Sequence, residues 1–215
     1  NGSVKKQISK SKKNIKKKSG TLIKFKPNEK YFDTNELDIR ELHNLIKAKS
    51  ILQPGLKLEV VDELYNTGIT GYLHNGSLGD YLINSTDGLD FIPSKPCSGN
   101  FESSELTIDW SCVWLIDSTD TIQESYVNLI PTSHGGSHVN ALKTAVVESL
   151  RDFCIRKKLL PKNIKLTPDD VWRNTSFIIS LKMMDPQFAG QTKTKLQSTH
   201  ILSILTPKLK DSFEI

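Results

Sequence analysis

Sulfur-bearing and aromatic residues are scarce in this 215-residue chain, which has three cysteines, two methionines and three tryptophans and only 7% aromatic content. Cys97, Cys112 and Cys154 are odd in number, far apart and without a Cys-x-x-Cys spacing. Nothing in that spacing suggests a disulfide framework or a zinc site, and a reducing cytosol is the compartment that fits best. Long apolar runs are missing too. No window approaches the ~18 apolar residues of a membrane span, and the start has no apolar signal-peptide core. His134 and His138 stand four apart, but Gly135 and Gly136 separate them and no Glu follows His134. Capping or a buried hydrogen bond is therefore the expected role, and no metal site is expected.

Acidic residues are absent from residues 1–18, which carry Lys5, Lys6, Lys10, Lys12, Lys13, Lys16, Lys17 and Lys18. The overall charge of +5 is therefore misleading: without those eight lysines, 21 Lys and Arg stand against 24 Asp and Glu. The pattern is a flexible basic arm on a slightly acidic body, not a domain that coats DNA. The eight lysines are candidates for weak, sequence-independent DNA contact through counterion release.

The rest of the chain alternates strand and helix patterns. Thr21 to Lys26 alternates as a strand closed by Pro27, and residues 35–50 have helical periodicity with Leu42, Leu45, Ile46 and Lys49 on one face. A hairpin is expected from strands near 57–62 and 68–73, turning at Asn66-Thr67-Gly68, and Ser77 is placed to cap a short helix through Ile83. Gly88, Pro93 and Pro96 mark a composition break. The cleanest alternation follows, with Leu106, Ile108, Trp110, Cys112, Trp114 and Ile116 on one side, as in a sheet with one packed face. A turn at 117–120 leads to an expected antiparallel partner strand at 122–130.

Ser137 is the expected N-cap of an amphipathic helix through Val139, Leu142, Val146, Leu150 and Phe153. Arg156, Lys157 and Lys158 meet the negative pole at its end. Thr167-Pro168-Asp169-Asp170 reads as another helix start. Phe177 to Met184 alternates as a half-buried strand that must end near Asp185, because Pro186 follows. Beyond it runs a polar loop with Gln191, Lys193 and Lys195, Gly190 as hinge and Phe188 as anchor, and then a helix capped by Ser198 or Thr199 and strained by Pro207.

Three segments, in order, carry a resemblance: Gly20-Thr-Leu-Ile-Lys-Phe-Lys-Pro-Asn28, Ser125-Tyr-Val-Asn-Leu-Ile-Pro-Thr-Ser-His-Gly-Gly-Ser-His-Val139, and Asp185-Pro-Gln-Phe-Ala-Gly-Gln-Thr-Lys-Thr-Lys-Leu196. Over roughly residues 19–215 the chain resembles the ATPase subunit of bacterial type IIA topoisomerases. The wording of residues 126–131 is nearer to the B subunit of topoisomerase IV than to the B subunit of gyrase, which stays the nearest alternative. Ser137 and Ala141 replace a usual Thr and a common Gly.

The resemblance implies an α+β architecture. Residues 19–88 would be the C-terminal half of a GHKL-type ATPase domain, and residues 89–215 a transducer domain of ribosomal-protein-like fold, a mixed sheet packed by helices with a left-handed βαβ crossover. It further implies an ATP-hydrolysing DNA topoisomerase that uses ATP and Mg2+. Lys193 would meet the γ-phosphate, Gln191 would donate beside it, and Thr21 would help to hold the adenine. The implied partners are DNA, the A subunit of topoisomerase IV in a heterotetramer, and a second copy on ATP binding, in a bacterial cytoplasm and without a membrane. The family's general-base Glu, metal-binding Asn, adenine-binding Asp and glycine-rich lid precede the Gly-Thr strand and have no match here. The chain is therefore expected to be an N-terminally truncated piece that binds no cofactor tightly and does not turn over ATP alone. A rival of another class is a non-catalytic nucleic-acid-binding α/β module with a basic tail.

Overall fold

The computed structural model describes residues 19–28, 30–31, 36–63, 68–86, 88–161 and 163–213. The lysines of the basic arm, and Asn66 and Thr67 of the hairpin turn, lie outside the described residues. The chain divides into two compact units, Asn1–Ile39 and Arg40–Ile215. In the first, residues 19–28 form no strand, and Leu22, Ile23 and Phe25 are exposed. The strand expected at Thr21 to Lys26 is thus corrected: alternation makes a strand only where a neighbouring strand pairs with it, and among the described residues no strand pairs with this segment.

Helix α1 (Ile39–Leu52) starts four residues later than its periodicity predicts and buries Ser50, Ile51 and Leu52 at its end. Strands β1 (Leu58–Val61) and β2 (Ile69–Tyr72) pair antiparallel as the expected hairpin. Helix α2 (Leu78–Ser85) begins at a capping box, in which Asp80 N donates to Ser77 Oγ and Ser77 N donates to Asp80 Oδ2.

A five-stranded mixed sheet holds the core, in the order β3 (Phe91–Glu102), β4 (Leu106–Leu115), β7 (Thr175–Met183), β5 (Gln123–Val127), β6 (Ile130–Pro131). Strand β3 replaces the expected composition break. Its prolines survive because β3 is an edge strand, where a missing donor breaks no ladder, and the register with β4 shifts between Ile92 and Cys97. Strand β5 is not the antiparallel partner of β4: β7 lies between them, antiparallel to β4 and parallel to β5.

Helices α3 (Ser137–Lys157) and α4 (Pro168–Trp172) occupy the connection from β5–β6 to β7. The second capping box, Thr167 with Asp170, opens α4. After a 3-10 turn at Thr199–Ile201, α5 (Leu202–Phe213) packs beside α3 and contains Pro207.

The sheet is covered on both sides, which corrects the reading of one packed face. Leu106, Ile108, Trp110 and Cys112 join α3, α5 and Leu196 in one apolar cluster, while Val113, Leu115 and Ile178 meet Leu52 and Leu82 in a second. Strand β7 is accordingly buried along its whole length except at Lys182, not half-buried. Tyr81 of α2 and Tyr126 of β5 both donate to Glu124, at 2.8 and 2.7 Å, and fasten α2 to the sheet. Burial, reinforced by Glu124, pushes the Tyr81 hydroxyl up to about 12. Lys49 of α1 donates to the Leu129 carbonyl in the turn between β5 and β6.

Candidate functional site

The segment after β7 is a tight loop, held across its base and open at its tip. Gln197 N donates to Gln187 O at 2.7 Å and Ala189 N to Lys195 O at 2.9 Å, so the two limbs pair like a short hairpin. Gln187 N also donates to Ser198 Oγ at 2.9 Å. The Ser198 hydroxyl therefore closes the loop, and Ser198, although at the N-cap of the 3-10 turn, makes no side-chain cap bond. Phe188 packs against the main core, as its anchoring role requires.

At the tip, Lys193 N donates to Gly190 O at 3.4 Å, and both residues have positive φ, +74° at Gly190 and +56° at Lys193. A left-handed lysine is unusual, and its strain is carried by this turn. Gly190, Gln191, Thr192 and Lys193 are all exposed. The Lys193 ammonium lies 5.8 Å from the centre of the Phe188 ring. An exposed contact of that kind holds a cation by ~0.5–1 kcal/mol, little enough for an anion to displace it.

The loop is also locked to the Gly-Gly segment, a connection the sequence does not announce. Leu196 N donates to Gly135 O at 3.0 Å, Ser137 N donates to Leu196 O at 3.1 Å, and His134 N donates to Thr194 O at 2.9 Å. Gly136 and Leu196 thus form a parallel bridge. Gly136, at φ +133°, is the N-cap of α3, and Ser137 is the first helical residue rather than the cap. The Leu196 carbonyl takes the amide of Ser137, one of the first-turn donors that have no partner within the helix. A Cβ on Gly136 would come within 2.3 Å of that carbonyl oxygen, so only glycine permits the approach.

Beneath this junction lies a buried polar chain. Ser125 Oγ donates to the Thr132 carbonyl at 2.7 Å and lies 2.7 Å from Thr132 Oγ1, which is 3.3 Å from His138 Nε2. His138 is fully buried, and burial pushes its imidazole down to about 4, so it is neutral at pH 7. His134 is exposed ahead of the helix. The histidines therefore occupy different environments, as Gly135 and Gly136 predict. Among the described residues, no group of three or more His, Cys, Asp or Glu is placed to hold a metal.

Of the expected nucleotide-side residues, Gln191 and Lys193 come together at the tip, and Lys195 is exposed two residues on. Thr21 is an exposed residue of the first unit, outside any strand. A cavity of about 430 Å³ is lined by Leu52, Ser77, Gly79, Ser98, Asp109 and Trp110, none of them from the loop. Sequence reasoning gave a buried hydrogen bond as a role for His138 but did not join it to Ser125 and Thr132, whose neighbours Glu124 and Ser133 are polar and give no sign of burial.

The chain has counterparts among known proteins. Residues 68–215 match the DNA gyrase B family. The B subunit of DNA topoisomerase 4 from Haemophilus influenzae is 42% identical over 197 residues, 92% of this chain and 31% of that protein. The B subunit of DNA gyrase from Streptococcus pneumoniae is 29% identical over 199 residues, covering 91% of this chain and 31% of that protein. The solved topoisomerase IV ATP-binding domain of Francisella tularensis, in complex with a small-molecule inhibitor, superposes with a TM-score of 0.74 at 32% identity, covering 87% of this chain and 50% of that one. The chain spans about 31% of the length of these curated relatives. The matched region runs from β2 through both segments that build the loop and its lock, and the chain belongs to the DNA gyrase B family.

Proposed function

We propose that this chain is the transducer-bearing part of a topoisomerase IV B subunit, and that its loop senses the terminal phosphate of ATP. The observation that carries this reading is the Gln191–Lys193 tip, exposed on a loop whose base is pinned to the start of α3. An ammonium and a carboxamide on one turn suit phosphoryl oxygens, the first as a point charge and the second as a donor. Neither offers an anionic oxygen, so this pair fits the phosphate and not the Mg2+ that accompanies it. Bound ATP supplies the phosphate whose loss triggers the change. The chain's own part is to hold Lys193 and Gln191 at one end of a stiff lever and α3 at the other.

Movement of the tip is passed through Leu196 to the Gly135–Ser137 backbone, and so to α3 and the sheet. A single contact then biases a rigid-body rotation. In that setting the protein hydrolyses ATP, closes on a DNA duplex as a homodimer, and works with the A subunit of topoisomerase IV in the bacterial cytoplasm. Thr21 has the role of helping to hold the adenine ring. Residues 19–88 and 89–215 act as the ATPase-side and transducer domains. The lysines of residues 1–18 add weak DNA affinity.

Amine footprinting tests the loop's role in a complete subunit carrying this segment. A non-hydrolysable ATP analogue should protect Lys193 from acylation, ADP should not, and Lys195 should stay reactive with either. Equal protection of Lys193 by ADP and ATP analogue would reject phosphate sensing.

A further inference from the structure

A second chemical site sits on the sheet, between the edge strand β3 and its neighbour β4. In the register of β3 with β4, Cys97 stands directly opposite Cys112. Directly opposed residues of an antiparallel pair point to the same face, with Cα atoms ~4.5 or ~5.5 Å apart according to their place in the ladder. Both separations fall within the ~4.4–6.8 Å that a disulfide spans. All three cysteines are free thiols.

The two positions differ in a useful way. Cys112 is fully buried on β4, whereas Cys97 is only half-buried on the edge strand β3. The register also breaks between Ile92 and Cys97, so the backbone on one side of Cys97 is free of the ladder and able to adjust. We infer that Cys97 and Cys112 form a reversible dithiol site that reacts with low-molecular-weight disulfides of the glutathione type, with Cys97 as the attacking thiol and Cys112 as the resolving one.

A hydrogen bond from Cys112 draws the Cys97 thiol down to about 7, and the same bond, with burial second, holds the Cys112 thiol well above its ordinary value. The accessible sulfur is therefore also the one with thiolate available at neutral pH. In the first step the Cys97 thiolate attacks one sulfur of glutathione disulfide, whose S–S bond breaks to release glutathione thiolate and leave a mixed disulfide. In the second, the Cys112 sulfur attacks the Cys97 sulfur and expels the second glutathione as thiolate, which takes up the Cys112 proton. Two protein thiols are oxidised and one glutathione disulfide is reduced to two thiols. Excess glutathione reverses both steps.

The product ties the edge strand to its neighbour immediately beyond the register break. Trp110 and Trp114 flank Cys112 at two residues on either side along the same face of β4, so closure has an optical reporter.

The test incubates the 215-residue chain with glutathione disulfide at neutral pH, followed by intact mass and peptide mapping without reduction. The expected result is a chain lighter by two hydrogens, with the Cys97 and Cys112 peptides joined, quenched tryptophan emission, and full recovery on adding dithiothreitol. Cys112→Ser should stop at a stable glutathione adduct on Cys97, and Cys97→Ser should leave Cys112 unmodified. The mapping of the unsubstituted chain decides the matter even if a variant fails to fold. A glutathione adduct that persists on Cys97 in the unsubstituted chain, or modification confined to Cys154, would overturn the inference.

Discussion

Gly136→Ala isolates the joint between the loop and helix α3. Gly136 has φ +133° and ψ −159°, a region that is essentially closed to side-chain-bearing residues. An alanine there carries a backbone strain of ~1–3 kcal/mol. Its Cβ would also lie 2.3 Å from Leu196 O, 2.5 Å from Leu196 N and 2.8 Å from Leu196 Cα. These are backbone atoms, so no rotamer change relieves the clash and the two segments must part. Parting them breaks the Leu196–Gly135 and Ser137–Leu196 hydrogen bonds, at ~1 kcal/mol each. The total loss is about 3–5 kcal/mol.

Gly190→Ala is the matched control. Gly190 also has positive φ, +74°, but nothing lies within 4 Å of its would-be Cβ, so only ~1–2 kcal/mol of strain applies. Urea unfolding of the two variants measures the difference, and amide exchange at Ser137 and Leu196 reports whether the joint has opened. A loss below ~1 kcal/mol in Gly136→Ala, or equal losses in both variants, would refute the close approach as the source of the stability.

The buried imidazole makes stability depend on pH. His138 is held near 4 when folded, below the usual 6.5, so the unfolded chain binds the proton more tightly. Its contribution is complete above pH ~6.5 and declines as pH falls toward 4, by up to about 3 kcal/mol. Denaturation midpoints between pH ~7 and ~4.5 should show that slope, and His138→Gln should flatten it. Deleting residues 1–18 should remove most duplex DNA binding, and the intact chain's affinity should fall steeply with salt. Electrophoretic or anisotropy titrations check both, and unchanged affinity after deletion would place the DNA contact elsewhere.

Local chemistry was the most legible part of the chain. The two capping boxes are written in Ser77 with Asp80 and Thr167 with Asp170, three residues apart, and need no tertiary partner. The length of α3 and the end of β7 before Pro186 are equally local. Strand order was not, because the β5–β7 pairing joins residues some fifty positions apart and periodicity contains no information on partners. Strand β3 was hidden because Pro93, Pro96, Ser98 and Gly99 have the composition of a loop, yet an edge position tolerates them. Ser137 has the chemistry of a cap, but Gly136 takes the cap position where its backbone meets Leu196, and Ser137 becomes the first helical residue.

The loop shows the same limit. By composition alone, Gln191, Lys193 and Lys195 are ordinary exposed polar residues, and the resemblance of the surrounding segment singled them out. The structure adds what motif wording lacks: the left-handed turn at Lys193 and the hydrogen bonds that make the loop continuous with α3.

The most direct test of phosphate sensing is turnover by a complete subunit with the Lys193 ammonium removed. Lysine and alanine both carry a Cβ, so Lys193→Ala removes the charge and leaves the left-handed backbone at φ +56° no more strained than before. The variant should lose roughly 10²–10³-fold in kcat for ATP hydrolysis, the usual loss for one electrostatic stabiliser. Its affinity for ADP should be unchanged, and Lys195→Ala should turn over normally. Undiminished kcat in Lys193→Ala, or an equal loss in Lys195→Ala, would contradict the account.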